Sequence, residues 1–387
     1  MRLLLILLSY VGLRICLHVL FPNLWVSLSS FVELCTPISS FRSTKEGLYL
    51  FNQLSVSPYK GNIFQQSPLM IALFTIVPEQ LHFLVFTFVD VFAAYNLASF
   101  ASTNMSYSPS VVAASYLFNP FSLLSSLANS TNVIGNSCIC ASLGFLGKKK
   151  AAKSIFFFSL ACVLMVYPFY LSFNYIILAA EWCNSRWYSV TFKFLFFICC
   201  FFTLAFIPFQ SWKFLNSQFV SAIVMRDLSR PNIGLWWYFF IELFSEFRPF
   251  YTCVFQLYLV SLQVPLAIRF PKQKLFAFTL LVGFLATFKP YPELSDIGLY
   301  ITMLLLNKPV FDLMHHKVYE ILGFVYFAAL SPAFYYLWIS SGSGNANFFY
   351  AINLVYAATM IVLFSDHTWA AIRYEYDGGK DKTVTQI

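Results

Sequence analysis

The chain has 387 residues, 59% of them hydrophobic and only 10% charged, with a formal net charge of +8 and a mean hydropathy of +0.71. Soluble domains carry roughly 25% charged residues, so these charges are too few to coat a water-facing surface, and disordered, coiled-coil, collagenous and disulfide-scaffold classes are excluded. The positive excess forms no basic stripe on a soluble surface, so it points to membrane orientation and not to nucleic acid. The apolar runs are continuous rather than alternating. That predicts an all-α polytopic membrane protein, a single transmembrane domain over residues 1–387, and not a β-barrel.

The first run, 3–21, follows Met1-Arg2 and contains no small-residue cleavage site. It reads as a retained first span. Arg14 sits inside it, four residues before His18. A charge at that depth is expensive and usually functional; this one suits snorkelling or a lipid phosphate. Residues 22–81 form a long segment that ends in the short apolar stretch 69–77, read as re-entrant. Spans are then predicted at 82–101, 110–126, 133–146, 154–167, 169–180 and 188–207. Asp90 lies mid-span in Thr87-Phe88-Val89-Asp90-Val91. A helix–helix hydrogen bond within the bundle is preferred there over a ligand or ion contact.

A second long segment, 208–249, holds another short apolar stretch at 233–244, read as re-entrant or interfacial. Further spans are predicted at 250–268, 275–288, 294–306, 318–339 and 348–364, bringing the total to about twelve. A polar tail, 365–387, follows. Lys148-Lys149-Lys150 leads the basic excess of one set of loops. The positive-inside rule places that set, and with an even span count both termini, in the cytosol. Segments 22–81 and 208–249 then lie on the luminal side. The tripeptide Asn129-Ser130-Thr131 matches a glycosylation acceptor facing the lumen, too close to the bilayer to be used.

Three luminal motifs carry recognition chemistry. In Phe288-Lys289-Pro290-Tyr291-Pro292-Glu293-Leu294-Ser295-Asp296 two prolines break the helix and expose backbone beside charge. Non-helical backbone at membrane depth is tolerated where it lines a cavity or packs on protein. Lys289 suits a phosphate and Tyr291 a sugar face; a simple turn is the plainer reading. Ser341-Gly342-Ser343-Gly344-Asn345-Ala346-Asn347 is a small polar turn that permits close approach of a sugar or a partner backbone. Pro231-Asn232-Ile233-Gly234-Leu235-Trp236-Trp237-Tyr238 joins a turn to an aromatic run suited to an interfacial belt. Catalytic signals are absent. There is no CxxC pair, nucleotide loop, HExxH or GxSxG. Cys35 and His82 are the only Cys/His pair on that side and form no motif. No metal or cofactor is implied.

The order of first span, long luminal loop, re-entrant segment and bundle resembles the GT-C class of polytopic glycosyltransferases. Those enzymes need a luminal acidic residue just after the first span. Here no Asp precedes Asp90, and segment 22–81 holds only Glu33, Glu46 and Glu79. The expected position reads Thr36-Pro37-Ile38-Ser39-Ser40-Phe41-Arg42. The resemblance implies a GT-C-like scaffold without the chemistry.

A closer resemblance runs in order from about residue 36 to 375. Glu46-Gly47-Leu48-Tyr49-Leu50, Ser57-Pro58-Tyr59-Lys60-Gly61 and Gln66-Ser67-Pro68-Leu69 are similar to the PIG-U family of glycosylphosphatidylinositol (GPI) transamidase subunits. So are Pro231 through Phe240, Cys253-Val254-Phe255-Gln256, Pro265-Leu266-Ala267-Ile268, Phe288 through Pro292, and Asn345-Ala346-Asn347-Phe348-Phe349-Tyr350-Ala351-Ile352. The inner loop at 101–109 is shorter than in some relatives. The resemblance implies a non-catalytic subunit of an endoplasmic reticulum complex that replaces a C-terminal signal peptide with GPI. Its implied partners are the caspase-like cysteine protease subunit PIG-K, PIG-S, PIG-T and a metallopeptidase-like GPI attachment subunit. The implied role is to hold the GPI lipid, and the apolar tail of the proprotein, beside the catalytic subunit. The expected GPI-binding residues are Lys289, Tyr291, Asp296, Asn345, Asn347, Asn232 and Trp237, with the Lys289 ammonium aimed at the interface. Asp90 and Arg14 are the intramembrane polar pair. The rivals are a dolichol-phosphate-mannose-dependent GPI mannosyltransferase, which needs an acidic base, and a transporter, which needs a repeat or a polar row.

Overall fold

The computed structural model describes residues 1–104, 106–223 and 230–378. Among the described residues every regular element is helical. Six helices among the described residues are long and apolar enough to cross a bilayer: Arg2–Leu20, Glu79–Ala101, Trp187–Phe206, Ser245–Arg269, Lys317–Ile339 and Ala346–Asp377. Pro109–Leu117 and Pro120–Leu127 make a seventh only if taken together, and they are bent by 50°. The bend has a local cause. Asn119 accepts from the Phe121 N–H at 3.0 Å, starting a new helix at Pro120.

Length therefore supports six or seven crossings, where the apolar runs suggest about twelve. The other runs form Asn132–Gly147, Ala151–Met165, Ser172–Trp182, Lys274–Phe288 and Leu294–Leu304. At 1.5 Å per residue these reach only about 17–24 Å, short of a ~30 Å hydrocarbon core. Their surroundings explain how such short helices persist. Lys274–Phe288 and Asn132–Gly147 are buried along almost their whole length. Neighbouring helices surround them over most of that length. Two of the long helices lie on the outside: only 11% of the apolar windows of Arg2–Leu20 and Ser245–Arg269 is buried, against 56% for Glu79–Ala101.

Small residues bring the central helices together. Asn132–Gly147 packs on His82–Ala101 and on Ala151–Met165. At Gly144 an added Cβ would stand 2.8 Å from the Asn96 carbonyl oxygen, so the two backbones are as close as glycine allows. In the first long segment an amphipathic helix, Phe41–Asn52, packs against Pro68–Ile76. The last helix continues past the apolar pattern to Asp377. Its Asp366 carboxylate accepts from the His315 and His316 N–H groups at 3.0 and 2.8 Å and so ties the start of Lys317–Ile339 to it. The remainder of the tail, 379–387, and residues 224–229 of the second long segment lie outside the described residues.

Candidate functional site

Three polar features stand out, the first two at the end of the bundle that carries residues 22–81. The first is a buried knot around the proline break. Lys274–Phe288 stops at Lys289, and Leu294–Leu304 starts at Glu293 with a reciprocal cap. The Glu293 side chain accepts from the backbone of Asp296, and Asp296 Oδ2 accepts from the Glu293 N–H at 2.9 Å. Leu294 N–H donates to the Glu33 carbonyl at 3.0 Å, fastening the first long segment to this turn.

Glu293 is the centre of the knot. Thr36 Oγ1 donates to it at 2.7 Å, Ser130 Oγ at 2.6 Å, and Ser39 Oγ also donates. Burial pushes its carboxyl above the usual range, the nearby Asp296 adds to that, and Lys289 opposes it. Asn132 Nδ2 donates to Ser295 Oγ and Asp296 Oδ1, both at 2.8 Å. Lys289 is only 4% exposed. Its Nζ lies 2.7 Å from Asp296 Oδ2 and 5.0 Å from the centre of the Tyr167 ring. The lysine therefore points into the protein and not to the interface. The physical reason is the partner: an extended backbone after Phe288 lets the side chain fold back onto a carboxylate one turn into the next helix. Tyr291 is buried among Val166, Tyr167 and Ala222. The cavity beside Lys289, Asp296 and Asn132 measures 30 Å³, room for about one water and not for a sugar.

The second feature is an aromatic rim. Tyr238 and Tyr350 stack at 4.2 Å with 14° between ring planes. The Tyr238 hydroxyl donates to Asn347 Oδ1 at 2.6 Å, and Asn345 Oδ1 caps the last helix by accepting from the Asn347 and Phe348 N–H groups. Asn345 and Asn347 are exposed, and both tyrosines are half-buried. Behind them Trp237 is buried and stacked on Trp338 at 5.8 Å. Asn232 holds the turn that starts this region: its Oδ1 accepts from Gly234 N–H at 2.7 Å, and its Nδ2 donates to the Pro290 carbonyl at 3.3 Å. Asn353 Nδ2 from the last helix donates to the Asn232 carbonyl at 2.7 Å. The seven residues singled out from sequence thus divide into an enclosed group (Lys289, Tyr291, Asp296), a supporting pair (Asn232, Trp237) and an open pair (Asn345, Asn347).

The third feature surrounds Asp90. Its Oδ2 accepts from the Tyr10 hydroxyl at 2.5 Å and from Ser126 Oγ, linking Arg2–Leu20, His82–Ala101 and Pro120–Leu127. Arg14 reaches Thr87 Oγ1 and the Ser126 carbonyl, each at 3.4 Å.

Among the described residues of the first long segment, the carboxylates are hydrogen-bonded through one oxygen, ion-paired or exposed. Glu33 accepts from Ser331 Oγ at 2.5 Å, and burial pushes its carboxyl up. Glu79 pairs with Lys45. Glu46 is exposed. Burial raises the Cys35 thiol, whose Sγ contacts the Ala128 carbonyl at 3.7 Å. Among the described residues no group of three or more His, Cys, Asp or Glu is arranged to hold a metal.

Glu293, Thr36, Ser39, Ser130 and Asn132 were not singled out from sequence. A local signal existed: Glu293-Leu294-Ser295-Asp296 has acidic groups at the N-cap and N3 positions of a helix. Nothing local points to the hydroxyls, which lie up to 257 residues away. The same knot encloses the acceptor tripeptide. Asn129 is 6% exposed and its successors less, so no glycan is expected on Asn129 on either side of a membrane. A mobility shift on glycosidase digestion that disappears in Asn129→Gln would contradict the packing.

A family model described as GPI transamidase subunit PIG-U matches residues 8–356. The GPI transamidase component GAB1 of Saccharomyces cerevisiae is 33% identical over 387 residues, covering 98% of both chains. The GPI-anchor transamidase component PIGU of Homo sapiens is 31% identical over 394 residues, covering 90% of this chain and 89% of its own. The GPI transamidase component GAB1 homolog of Schizosaccharomyces pombe is 30% identical, covering 92% and 90%.

Proposed function

The chain belongs to the PIG-U family of GPI transamidase subunits, and from that premise we propose that it is a non-catalytic, lipid-presenting subunit of an endoplasmic reticulum complex. It holds GPI, and the apolar C-terminal signal of the proprotein, beside a caspase-like PIG-K subunit that performs the transamidation. PIG-S, PIG-T and a metallopeptidase-like attachment subunit complete the assembly. The observation that carries the reading is the match to named transamidase components over nearly the whole chain. The outer helices supply what such a subunit needs. Leu4, Leu5, Leu8, Val318, Tyr319 and Ile321 all face outward, apolar surface for lipid and partner spans. Mannosyl transfer finds no support in the relatives' names.

In this reading the chain crosses about twelve times in a GT-C-like bundle, with the bent pair and the five shorter helices counted as crossings in a locally thinned or protein-lined environment. Both termini are then cytosolic, and the end bearing the knot and the rim is luminal. A glycosylation reporter fused after Ile387 is expected to stay unglycosylated; a glycosylated one would reverse the parity.

The GPI head group is placed at the rim, on the Tyr238–Tyr350 stack with Asn345 and Asn347 beside it. Lys289, Asp296, Tyr291, Asn232 and Trp237 serve that site by fixing the two turns under it. Aromatic faces stack on sugars, and the asparagine amides offer donors and acceptors. Losing one ring of a stacked pair is worth about 0.5–1.5 kcal/mol, so Tyr350→Ala is expected to lower the GPI bound to the purified complex about 2- to 10-fold. Partner recovery in the same preparation should not change. Normal GPI content with missing partners would assign the rim to subunit docking instead.

A further inference from the structure

A pocket of 350 Å³ opens between Arg2–Leu20, Phe41–Asn52 and the start of His82–Ala101, lined by Arg14, His18, Trp25, Lys45, Glu79 and His82 among others. Its volume lies in the range of small-ligand sites, roughly 300–1,000 Å³. No rim residue lines it, and of the knot only the enclosed tripeptide reaches it, through Asn129.

Its cations are not fully used by the protein. Arg14 is 4% exposed, yet it makes no ion pair within 4.0 Å among the described residues. Its two hydrogen bonds go to neutral oxygens, each at 3.4 Å, and Nη1 is buried without a partner. Asp90 balances this charge only at one remove, through Ser126, which offers its carbonyl to Arg14 and its hydroxyl to Asp90. A guanidinium has five donors and strongly prefers a bidentate anion when desolvated. His82 is 6% exposed; its Nε2 meets the Val77 carbonyl at 3.0 Å, while Nδ1 has no partner. At the mouth, Lys45 pairs with Glu79 and lies 4.6 Å from the Trp25 ring centre. Among the described residues Glu79 is the one carboxylate lining the pocket, and its side chain is 73% exposed.

Depth favours a lipid. Arg14 lies six residues from the end of Arg2–Leu20, about 9 Å along the axis at 1.5 Å per residue. That is shallower than the middle of a ~30 Å hydrocarbon core and within reach of head-group phosphates.

We propose that this pocket binds the phosphate-ester head group of an anionic membrane lipid, with Arg14 forking onto the phosphate, the His82 ring forming part of the pocket wall, and Lys45 closing over it at the mouth. The site is independent of the GPI assignment at the rim. Bound phosphate supplies the direct anionic partner that Arg14 lacks among the described residues, where Asp90 is reached only through Ser126.

The test uses the full chain purified in detergent, with binding followed by native mass spectrometry. The probes are dioctanoyl phosphatidic acid, dioctanoylglycerol and inorganic phosphate. Phosphatidic acid is expected to bind, and Arg14→Gln to weaken it about tenfold or more. Lys45→Gln should weaken it about 2- to 3-fold, since that ammonium is already shared with Glu79. Dioctanoylglycerol should bind weakly and equally to all forms. Unfolding midpoints measured on the same samples separate lost binding from lost fold. If Arg14→Gln does not accumulate, Lys45→Gln decides alone. Unchanged affinity for phosphatidic acid in the folded variants would overturn the site. Inorganic phosphate binding as tightly as phosphatidic acid, with the same dependence on Arg14, would overturn the lipid as its source.

Discussion

Lys289→Ala is expected to destabilise the whole bundle by about 3–5 kcal/mol, the range for removing one partner of a buried ion pair. Lys289 and Asp296 have side chains only 5% and 10% exposed, 2.7 Å apart, so bulk water does not solvate the carboxylate that loses its ammonium. The stranded Asp296 also accepts from the Glu293 N–H and from Asn132. Its distress therefore passes to the turn that fastens residues 33–39 to the bundle. Removing both charges should cost much less than removing one. Lys289→Met with Asp296→Asn keeps an amide oxygen for the Glu293 N–H and leaves no unpaired charge. Equilibrium unfolding in detergent, with each single variant alongside, measures the coupling. A loss below about 1 kcal/mol in Lys289→Ala, or a double variant as unstable as the sum of the singles, would show that the pair holds nothing together. GPI retention and partner recovery are expected to fall together in Lys289→Ala. A direct lipid ligand would instead lose GPI alone.

The second large effect is expected at Gly144. A Cβ there would lie 2.6 Å from Asn96 Oδ1, 2.7 Å from Asn96 Cβ and 2.8 Å from the Asn96 carbonyl oxygen. The amide can rotate away, but the Cβ and the carbonyl belong to the facing helix and move only with it. Gly144→Ala should cost about 1–3 kcal/mol through overpacking, and Gly144→Leu more. Membrane helices hold together through such close backbone approach, because lipid tails offer no hydrophobic penalty for separation. Gly12→Ala is the matched control. Nothing lies within 4 Å of a Cβ at Gly12, so the change should be neutral or slightly stabilising, within about 1 kcal/mol, as Ala is the better helix former. Equal behaviour of the two alanine variants would mean that helix propensity, not interhelical distance, sets the response.

Much of the architecture was legible in the order of residues. The run at 82–101 forms His82–Ala101, and 188–207 forms Trp187–Phe206, because a continuous apolar run of that length satisfies its backbone most simply as one helix. Short apolar stretches bounded by Pro or charge became Pro68–Ile76 and Trp236–Glu242. The ordered motifs shared with PIG-U proteins were legible too, since they depend on residue identity and not on contacts. Other features were hidden. Asp366 lies outside any apolar run, yet it sits on a helix that packs back on the bundle, and only its contact with the His315 and His316 amides reveals why. Lys289 reads as a lysine beside prolines. Nothing in that pattern says whether the side chain turns outward or back onto Asp296.

Sequence alone determined that the chain is a helical membrane protein, that a helix breaks at the prolines around residue 290, and which family it joins. These follow from local hydrophobicity, proline stereochemistry and residue identity. Tertiary structure alone decided which helices are enclosed and which face outward, because lipid and protein neighbours select the same apolar side chains. It also decided the fate of the polar residues. Ser39 and Glu293 are 254 positions apart and meet in the knot, while Arg14 closes against a partner 112 positions away and still keeps a donor free. Hydrogen bonds act over about 3 Å whatever the sequence separation, so their partners exist only once the helices have packed.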